Sequence, residues 1–136
     1  IPDFHLSTRD SRAVLPARLS HGEAVKQTAA FGFLLQGLAH GREDFLRLGG
    51  RDYLHQPYRE PLIPAYDEAR ELLLNAGCPA VALSGAGPSL AGFMVGSEEE
   101  AGSAAEKMRD LLPPGWRALR LPVDMTGMTW AEETSR

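Results

Sequence analysis

The stretch AVALSGAGPSLAGFMV, residues 80–95, decides the fold. Its two apolar runs, 80–83 and 90–95, predict neighbouring strands, and the glycine loop between them, residues 84–89, predicts a tight connection. Two glycines one residue apart permit positive φ angles and a close approach of the backbone to a ligand. Successive N–H groups in such a turn can form a nest that binds an anion. The alternative is a connection whose glycines serve its conformation alone.

The glycine loop is not a Walker phosphate loop. No Gly-Lys-Ser/Thr follows it, and the residues after it predict a strand rather than a helix. Any phosphate that it contacts is therefore bound in another geometry.

Helices are predicted on both sides of this strand pair. Residues 61–76 repeat apolar positions at spacings of three and four, with Pro64 in the first turn. After the pair, Ser97 and Glu100 form a capping box. We expect that helix to bury one apolar stripe, which consists of Ala101, Ala104, Ala105, Met108, Leu111 and Leu112.

Two further capping boxes predict helices in the first half of the chain. Ser7 with Asp10 starts a short helix that stops near Pro16, and Ser20 with Glu23 starts the longest one. The long helix has an apolar stripe of Ala24, Phe31, Leu34, Leu35 and Leu38, and ends at Gly41. A brief helix over 43–48 and a loop over 51–60 follow.

The predicted elements assemble into one known topology. Residues 2–6 supply a first strand and residues 118–123 a last one, so the order is strand, helices, strand, strand, helix, strand. That order is typical of the split βαβ, or ferredoxin-like, arrangement. We predict an α+β fold with a four-stranded antiparallel sheet, helices on one face and extra helices in the first crossover. Residues 1–124 form this domain, and residues 125–136 form a tail.

Composition excludes several classes of function. The 136 residues are 43% hydrophobic and 24% charged with a net charge of −4, as in an ordinary globular domain. Lys and Arg are not clustered, so we expect no nucleic-acid partner, and no apolar run is long enough for a membrane span. Cys78 is the only cysteine, which favours a reducing, cytoplasmic location. The four histidines are scattered, so no metal site is predicted.

Two arginines are candidates for binding a carboxylate. Arg59 closes the segment His55-Gln56-Pro57-Tyr58-Arg59, and Arg12 lies four residues after Thr8, on one face of the first helix. A guanidinium can hold a carboxylate with two parallel hydrogen bonds, so the pair would suit a substrate with a carboxylate. The alternative is that both arginines are solvated surface charges.

Four segments together resemble a known family. They are Leu6-Ser7-Thr8 with Arg12, Ala13-Val14-Leu15-Pro16, the His-Gln-Pro-Tyr-Arg segment, and Leu83 to Ser89. In this order they look like the C-terminal domain of the homoserine kinases, within the GHMP family of small-molecule kinases. The resemblance runs from about Pro2 to Val123, and the glycine loop alone indicates only the wider family.

The resemblance implies an activity and a site. The activity is ATP-dependent, Mg²⁺-dependent phosphorylation of the L-homoserine hydroxyl in threonine biosynthesis. Thr8, Arg12, Arg59 and Gly85 would lie at the amino-acid site, with the two arginines on the substrate carboxylate. The glycine loop would line the substrate pocket and pack against the nucleotide phosphate loop through Ser84, Gly85, Ala86, Gly87 and Ser89. No catalytic residue is assigned.

The family's nucleotide-binding elements are not in this sequence. Its Gly-Ser-Ser loop, its adenine pocket and the acidic residue near magnesium belong to an N-terminal domain, and the chain begins at Ile1 without a methionine. We therefore expect ATP and Mg²⁺ to be bound mainly by that missing domain, and the isolated chain to be inactive.

Two other functional hypotheses for the same residues stay open. One is a ferredoxin-like module that binds an amino acid without catalysis, and the other is a purely structural or dimerising domain. The sequence leaves the oligomeric state open, a homodimer being one alternative.

Overall fold

The computed structural model describes residues 1–130, which form six α-helices, one 3₁₀ turn and one pair of strands. The helices are α1 (Thr8–Ala13), α2 (His21–His40), α3 (Glu43–Gly49), α4 (Gln56–Arg59), α5 (Tyr66–Asn75) and α6 (Glu98–Arg109). The 3₁₀ turn is Glu60–Leu62, and the strands are β1 (Ala80–Leu83) and β2 (Leu90–Phe93). The α+β class is confirmed.

The strand pair around the glycine loop forms as predicted. β1 and β2 are antiparallel, with Ala80 opposite Phe93 and Leu83 opposite Leu90. Gly92 has no side chain at a point where a Cβ atom would lie 2.8 Å from the Cys78 sulfur. The pair therefore packs closely on the end of α5.

The predicted four-stranded sheet is not formed among residues 1–130, where the sheet has two strands. Of the predicted first strand, Pro2 forms one isolated antiparallel bridge, and its partner Trp116 lies just before the predicted last strand. Pro2 lacks an N–H group and cannot extend the ladder. Leu121 and Val123 are 79% and 81% exposed, so no packed surface holds the last segment as a strand. The four-strand detail stays unconfirmed.

Helix ends follow the capping signals closely. The Ser20–Glu23 and Ser97–Glu100 boxes are both complete, with each hydroxyl accepting from the glutamate N–H and each carboxylate accepting from the serine N–H. Ser7 accepts a hydrogen bond from the backbone N–H of Asp10 at 3.0 Å, and Gly41 ends α2 with a φ of 62°. Local hydrogen bonding thus fixes these ends.

The face that α2 turns to the core was predicted wrongly. Phe31, Leu35 and Leu38 are between 50% and 57% exposed, whereas Ala30 and Gly37 are buried. A Cβ atom on Gly37 would lie 2.9 Å from Leu46, so the absence of a side chain lets α3 approach α2 closely. Close packing on small residues sets the orientation of the helix, so Phe31, Leu35 and Leu38 face outward while Leu34 of the predicted stripe packs against Gly49.

Two boundaries and the burial of α6 also differ from the sequence prediction. Residues 56–62 are helical rather than a loop, and α5 begins at Tyr66 because Ala65 adopts a φ of 54°. No residue of α6 is fully buried, and Leu111 beyond its end is 64% exposed. The division between domain and tail at residue 124 stays a prediction, and residues 131–136 lie outside the described part.

The small core lies between α2, α3, α5 and β1. Its buried apolar residues are Ala30, Leu46, Ile63, Tyr66, Ala69, Cys78, Ala80 and Val81. Within residues 1–130, no helix combines the length and the apolar character required to cross a membrane.

Candidate functional site

The glycine loop is a tight turn closed by its own backbone. Ser84 N–H donates to the Ser89 carbonyl at 2.8 Å, and Gly87 N–H donates to the Ser84 carbonyl at 3.1 Å. Gly85 and Gly87 have φ values of 61° and 85°, which residues other than glycine rarely adopt. The loop therefore requires its glycines for conformation.

Arg59, at the end of α4, connects the glycine loop to α1. Its side chain is 9% exposed, with Nε 3.1 Å from the Ser11 carbonyl oxygen and Nη1 3.2 Å from the Gly85 carbonyl oxygen. Both hydrogen bonds are strengthened because the guanidinium is charged. A buried arginine thus holds two segments that are far apart in the chain.

Ser11 makes a second contact with the same loop. Its residue is fully buried, and its hydroxyl donates to the Ala86 carbonyl at 3.0 Å. The carbonyls of Gly85 and Ala86 therefore both point toward α1 and α4.

The position of Arg59 depends on Asp52. One carboxylate oxygen of Asp52 accepts from the N–H groups of Leu54 and His55, at 2.7 and 3.1 Å, and the other accepts from Gln56 at 3.0 Å. These bonds satisfy donors at the start of α4 that have no partner within the helix. This carboxylate thus fixes the start of a four-residue helix.

The chain beyond Arg59 is fixed by Tyr66. The Tyr66 hydroxyl donates to a Glu60 carboxylate oxygen at 2.9 Å. Burial, together with this neighbouring carboxylate, raises the pKa of Tyr66 well above its usual range. The phenol therefore stays protonated and keeps the 3₁₀ turn against α5.

Gln56 attaches α4 to the sheet. It is 7% exposed, and its Oε1 accepts from the Leu83 N–H at 2.5 Å. That N–H lies on the edge of β1 that points away from β2. In the described part of the chain, no strand pairs with this edge.

A cavity of about 260 Å³ lies beside these groups. Its wall combines polar and apolar residues: Gln27, Leu34, Gly49, Gly50, Arg51, Asp52, His55, Gln56, Arg59, Ala82, Leu83, Gly85 and Phe93. A concave site with a few fixed polar groups is typical of small-molecule binding.

The family model described as "GHMP kinases C terminal" matches residues 34–113, which is more than half of the chain. The chain belongs to this GHMP kinase family. This GHMP kinase domain is 37% identical over 129 residues to a homoserine kinase of Microchaete diplosiphon, covering 95% of this chain and 40% of that protein. It is 48% identical over 90 residues to a homoserine kinase of a Nostoc species, covering 66% of this chain and 30% of that protein.

A solved structure agrees with these relatives. The crystal structure of homoserine kinase from Cytophaga hutchinsonii aligns with the GHMP kinase domain with a TM-score of 0.72 and 29% identity. The alignment covers 80% of this chain and 34% of that one. The domain thus spans 40% or less of the length of each of these three proteins.

The sequence-predicted residues of the GHMP kinase domain divide into two groups. Arg59 and Gly85 are in contact and both line the cavity. Thr8 and Arg12 lie on α1 with exposed side chains, and within residues 1–130 neither side chain forms a hydrogen bond. Arg12 is nevertheless next in the chain to Ser11, whose carbonyl accepts from Arg59.

Ser11, Asp52 and Gln56 were missed as site-forming residues. The sequence held one signal for the helix that carries Gln56. Pro57 lies in the first turn of α4, a position that proline favours in a helix. The partners of Ser11 and Gln56 lie 75 and 27 residues away, so no local pattern indicates them.

The described residues do not form a metal site by themselves. Within residues 1–130, no group of three or more His, Cys, Asp or Glu side chains is arranged to hold an ion.

Proposed function

We propose that this chain is the C-terminal, substrate-binding part of a homoserine kinase. The complete enzyme transfers the terminal phosphoryl group of ATP to the side-chain hydroxyl of L-homoserine, forming O-phosphohomoserine for threonine biosynthesis. The observation that carries the proposal is the buried Arg59, which joins α1 to the glycine loop at the wall of the cavity. The names of the relatives support the substrate.

Arg59 and Arg12 hold the substrate carboxylate in this proposal. Two of the five N–H donors of Arg59 bind backbone carbonyls, which fix the plane of the guanidinium and leave its remaining donors for a ligand. Arg12 and Thr8, whose side chains are exposed on α1, complete the substrate site in this proposal.

The glycine loop has a supporting role in the transfer. Ser84, Gly85, Ala86, Gly87 and Ser89 line the amino-acid pocket and contact the nucleotide phosphate loop. Phosphoryl transfer depends mainly on positioning and on stabilisation of charge, so such contacts assist the reaction without a general base.

ATP and Mg²⁺ are bound mainly by a separate nucleotide-binding part of the kinase. The chain spans 40% of the Microchaete protein, which leaves ample length for such a part. Met125, Met128 and Trp130 are 78% to 96% exposed, as expected for apolar residues that pack on another protein surface. The exposed apolar side chains of α2 would suit the homodimer that the sequence leaves as one alternative.

The test uses the complete kinase that contains residues 1–136. We expect homoserine-dependent ADP formation, and a fall of at least about a hundredfold in kcat/KM for homoserine in Arg59→Ala, because the carboxylate loses a charged partner. Arg109→Ala, at an exposed position on α6, is the matched control and should retain activity. Full activity of Arg59→Ala would refute this role and favour the structural alternative.

The isolated chain separates the kinase from the amino-acid-binding module. Mixed with ATP, Mg²⁺ and homoserine, it should form no ADP above background, and calorimetry should detect no tight homoserine binding to half of a site. The non-catalytic module would instead be supported by tight homoserine binding without turnover, both in the isolated chain and in the complete protein. In that alternative, this chain forms the whole binding pocket.

A further inference from the structure

The orientation of two peptide groups in the glycine loop follows from two tethers. Arg59 binds the Gly85 carbonyl and Ser11 binds the Ala86 carbonyl, so successive carbonyls point toward the buried side. The Gly85–Ala86 peptide is trans, and in a trans peptide the N–H points away from the C=O. The Ala86 N–H therefore faces away from Arg59, and within residues 1–130 it donates to no other group.

The next peptide shows the same effect. The Ala86 carbonyl is bound by Ser11, and the Gly87 N–H on the far side of that peptide closes the turn onto the Ser84 carbonyl. Removing the Ser11 hydroxyl would leave the Ala86 carbonyl without its partner and free that peptide to rotate. A rotation would disturb the Gly87 bond and the direction of the Ala86 N–H together.

We propose that Ser11 is a positioning residue: its hydroxyl fixes the glycine loop so that the Ala86 N–H is presented to an anionic oxygen of a ligand. Ser11 is fully buried, so it acts through the loop and not by touching the ligand. The anionic oxygen is a carboxylate or a phosphoryl oxygen. This second half of the inference rests on the proposed function, whereas the tether itself does not.

The tether is tested on the chain itself by amide hydrogen exchange. In Ser11→Ala, exchange of the Gly87 amide should rise by at least about tenfold relative to the amides of α2 and α3, because one loop hydrogen bond is weakened. Ala69→Gly, at a buried position in α5, controls for global destabilisation and should leave the ratio unchanged. An unchanged ratio in Ser11→Ala would overturn the proposal whatever the protein's function.

The functional half is tested in the complete kinase by separate KM measurements. Ser11→Ala should raise KM by about tenfold for homoserine if the Ala86 N–H binds its carboxylate, or for ATP if it binds a phosphoryl oxygen, with a smaller change in kcat. Ser11→Cys, similar in size with a weaker donor, should fall between wild type and Ser11→Ala. Loop exchange that changes while neither KM rises would overturn the assignment of the N–H to a ligand. Absence of any kinase activity in the wild type would instead count against the proposed function.

Discussion

The amide oxygen of Gln56 accepts a hydrogen bond from the backbone N–H of Leu83, which joins a four-residue helix to the edge of β1 that faces away from β2. Gln56 is almost completely buried, and its own N–H is held by Asp52. One glutamine therefore positions the helix that carries Arg59 relative to the strand that leads into the glycine loop.

Replacing Gln56 should destabilise the fold. Gln56→Leu keeps the approximate size of the side chain but leaves the Leu83 N–H without its acceptor, and we expect a loss of about 1–3 kcal/mol in the free energy of unfolding. Urea titration followed by circular dichroism measures it. Gln36→Leu, at an exposed position on α2, should change stability by less than about 0.5 kcal/mol. Equal effects of the two changes would contradict this role for Gln56.

Arg59→Lys should fail as a conservative substitution. Lysine keeps the charge but is a point donor on a flexible stem, so it cannot hold the Ser11 and Gly85 carbonyls in the fixed geometry of a guanidinium. We expect a loss of about 1.5–3 kcal/mol in stability and a raised KM for homoserine in the complete kinase. Arg109→Lys provides the exposed control. Retention of both properties in Arg59→Lys would show that charge alone is required.

Two glycines at helical positions should respond in opposite directions to alanine. A Cβ atom on Gly49 would lie 2.3 Å from the backbone nitrogen of Leu34, so Gly49→Ala must push α2 and α3 apart. Overpacking of this kind costs about 1–3 kcal/mol or more. Gly32, on the exposed face of α2, has nothing within 4 Å of such an atom, and Gly32→Ala should stabilise by about 0.5–1 kcal/mol. Thermal unfolding of both variants measures the difference, and a shift in the same direction for both would contradict the packing described.

Two other glycines, Gly41 at the end of α2 and Gly37 within it, show where sequence patterns predicted the fold and where they did not. The capping serines and Gly41 act on neighbours three or four residues away, so helix ends could be predicted locally. The orientation of α2 depends on how closely α3 approaches Gly37, a tertiary property that competes with the apolar stripe. The apolar stripe was the pattern visible in the sequence, and the close packing of α3 on Gly37 outweighed it.

The candidate site likewise contains residues that the local sequence indicates and residues that depend on distant segments. Arg59 and Gly85 could be selected from residue type and motif, and the structure places them in contact. Ser11 and Gln56 could not, since small polar residues acquire a role here only through partners in distant segments. Thr8 and Arg12 remain predictions, because their side chains contact no polar group within residues 1–130.

The capping boxes should make stability depend on pH in the acid range. Hydrogen bonds from the Ser20 hydroxyl and then its backbone N–H hold the pKa of Glu23 below its ordinary value of 4.5, and the Ser97 backbone N–H and then its hydroxyl do the same for Glu100. A folded-state pKa below the unfolded one gives stability that is fully present above pH 4.5 and is lost as the pH falls through the folded value. We expect the urea midpoint to fall between pH 6 and about pH 3.

The double variant Glu23→Gln, Glu100→Gln should show a smaller fall over the same range. Glutamine can complete a capping box without an ionisable group, so the caps persist in acid. Glu106→Gln, exposed on α6, is the control and should follow the wild type. An identical acid dependence in the double variant would show that the boxes do not titrate as described.

Cys78 should report on the opening of the strand pair. It is 5% exposed, it packs against Gly92, and burial raises the pKa of its thiol, so both access and thiolate content are low in the folded chain. At pH 8 an aromatic disulfide reagent should modify it at least about a hundredfold more slowly than in the urea-unfolded chain, because reaction requires local or global opening. Gly92→Ala, whose Cβ atom would press on the sulfur, should accelerate the reaction, and Gly102→Ala on α6 should not. A folded-state rate equal to the unfolded one would mean that β2 does not cover Cys78 in solution.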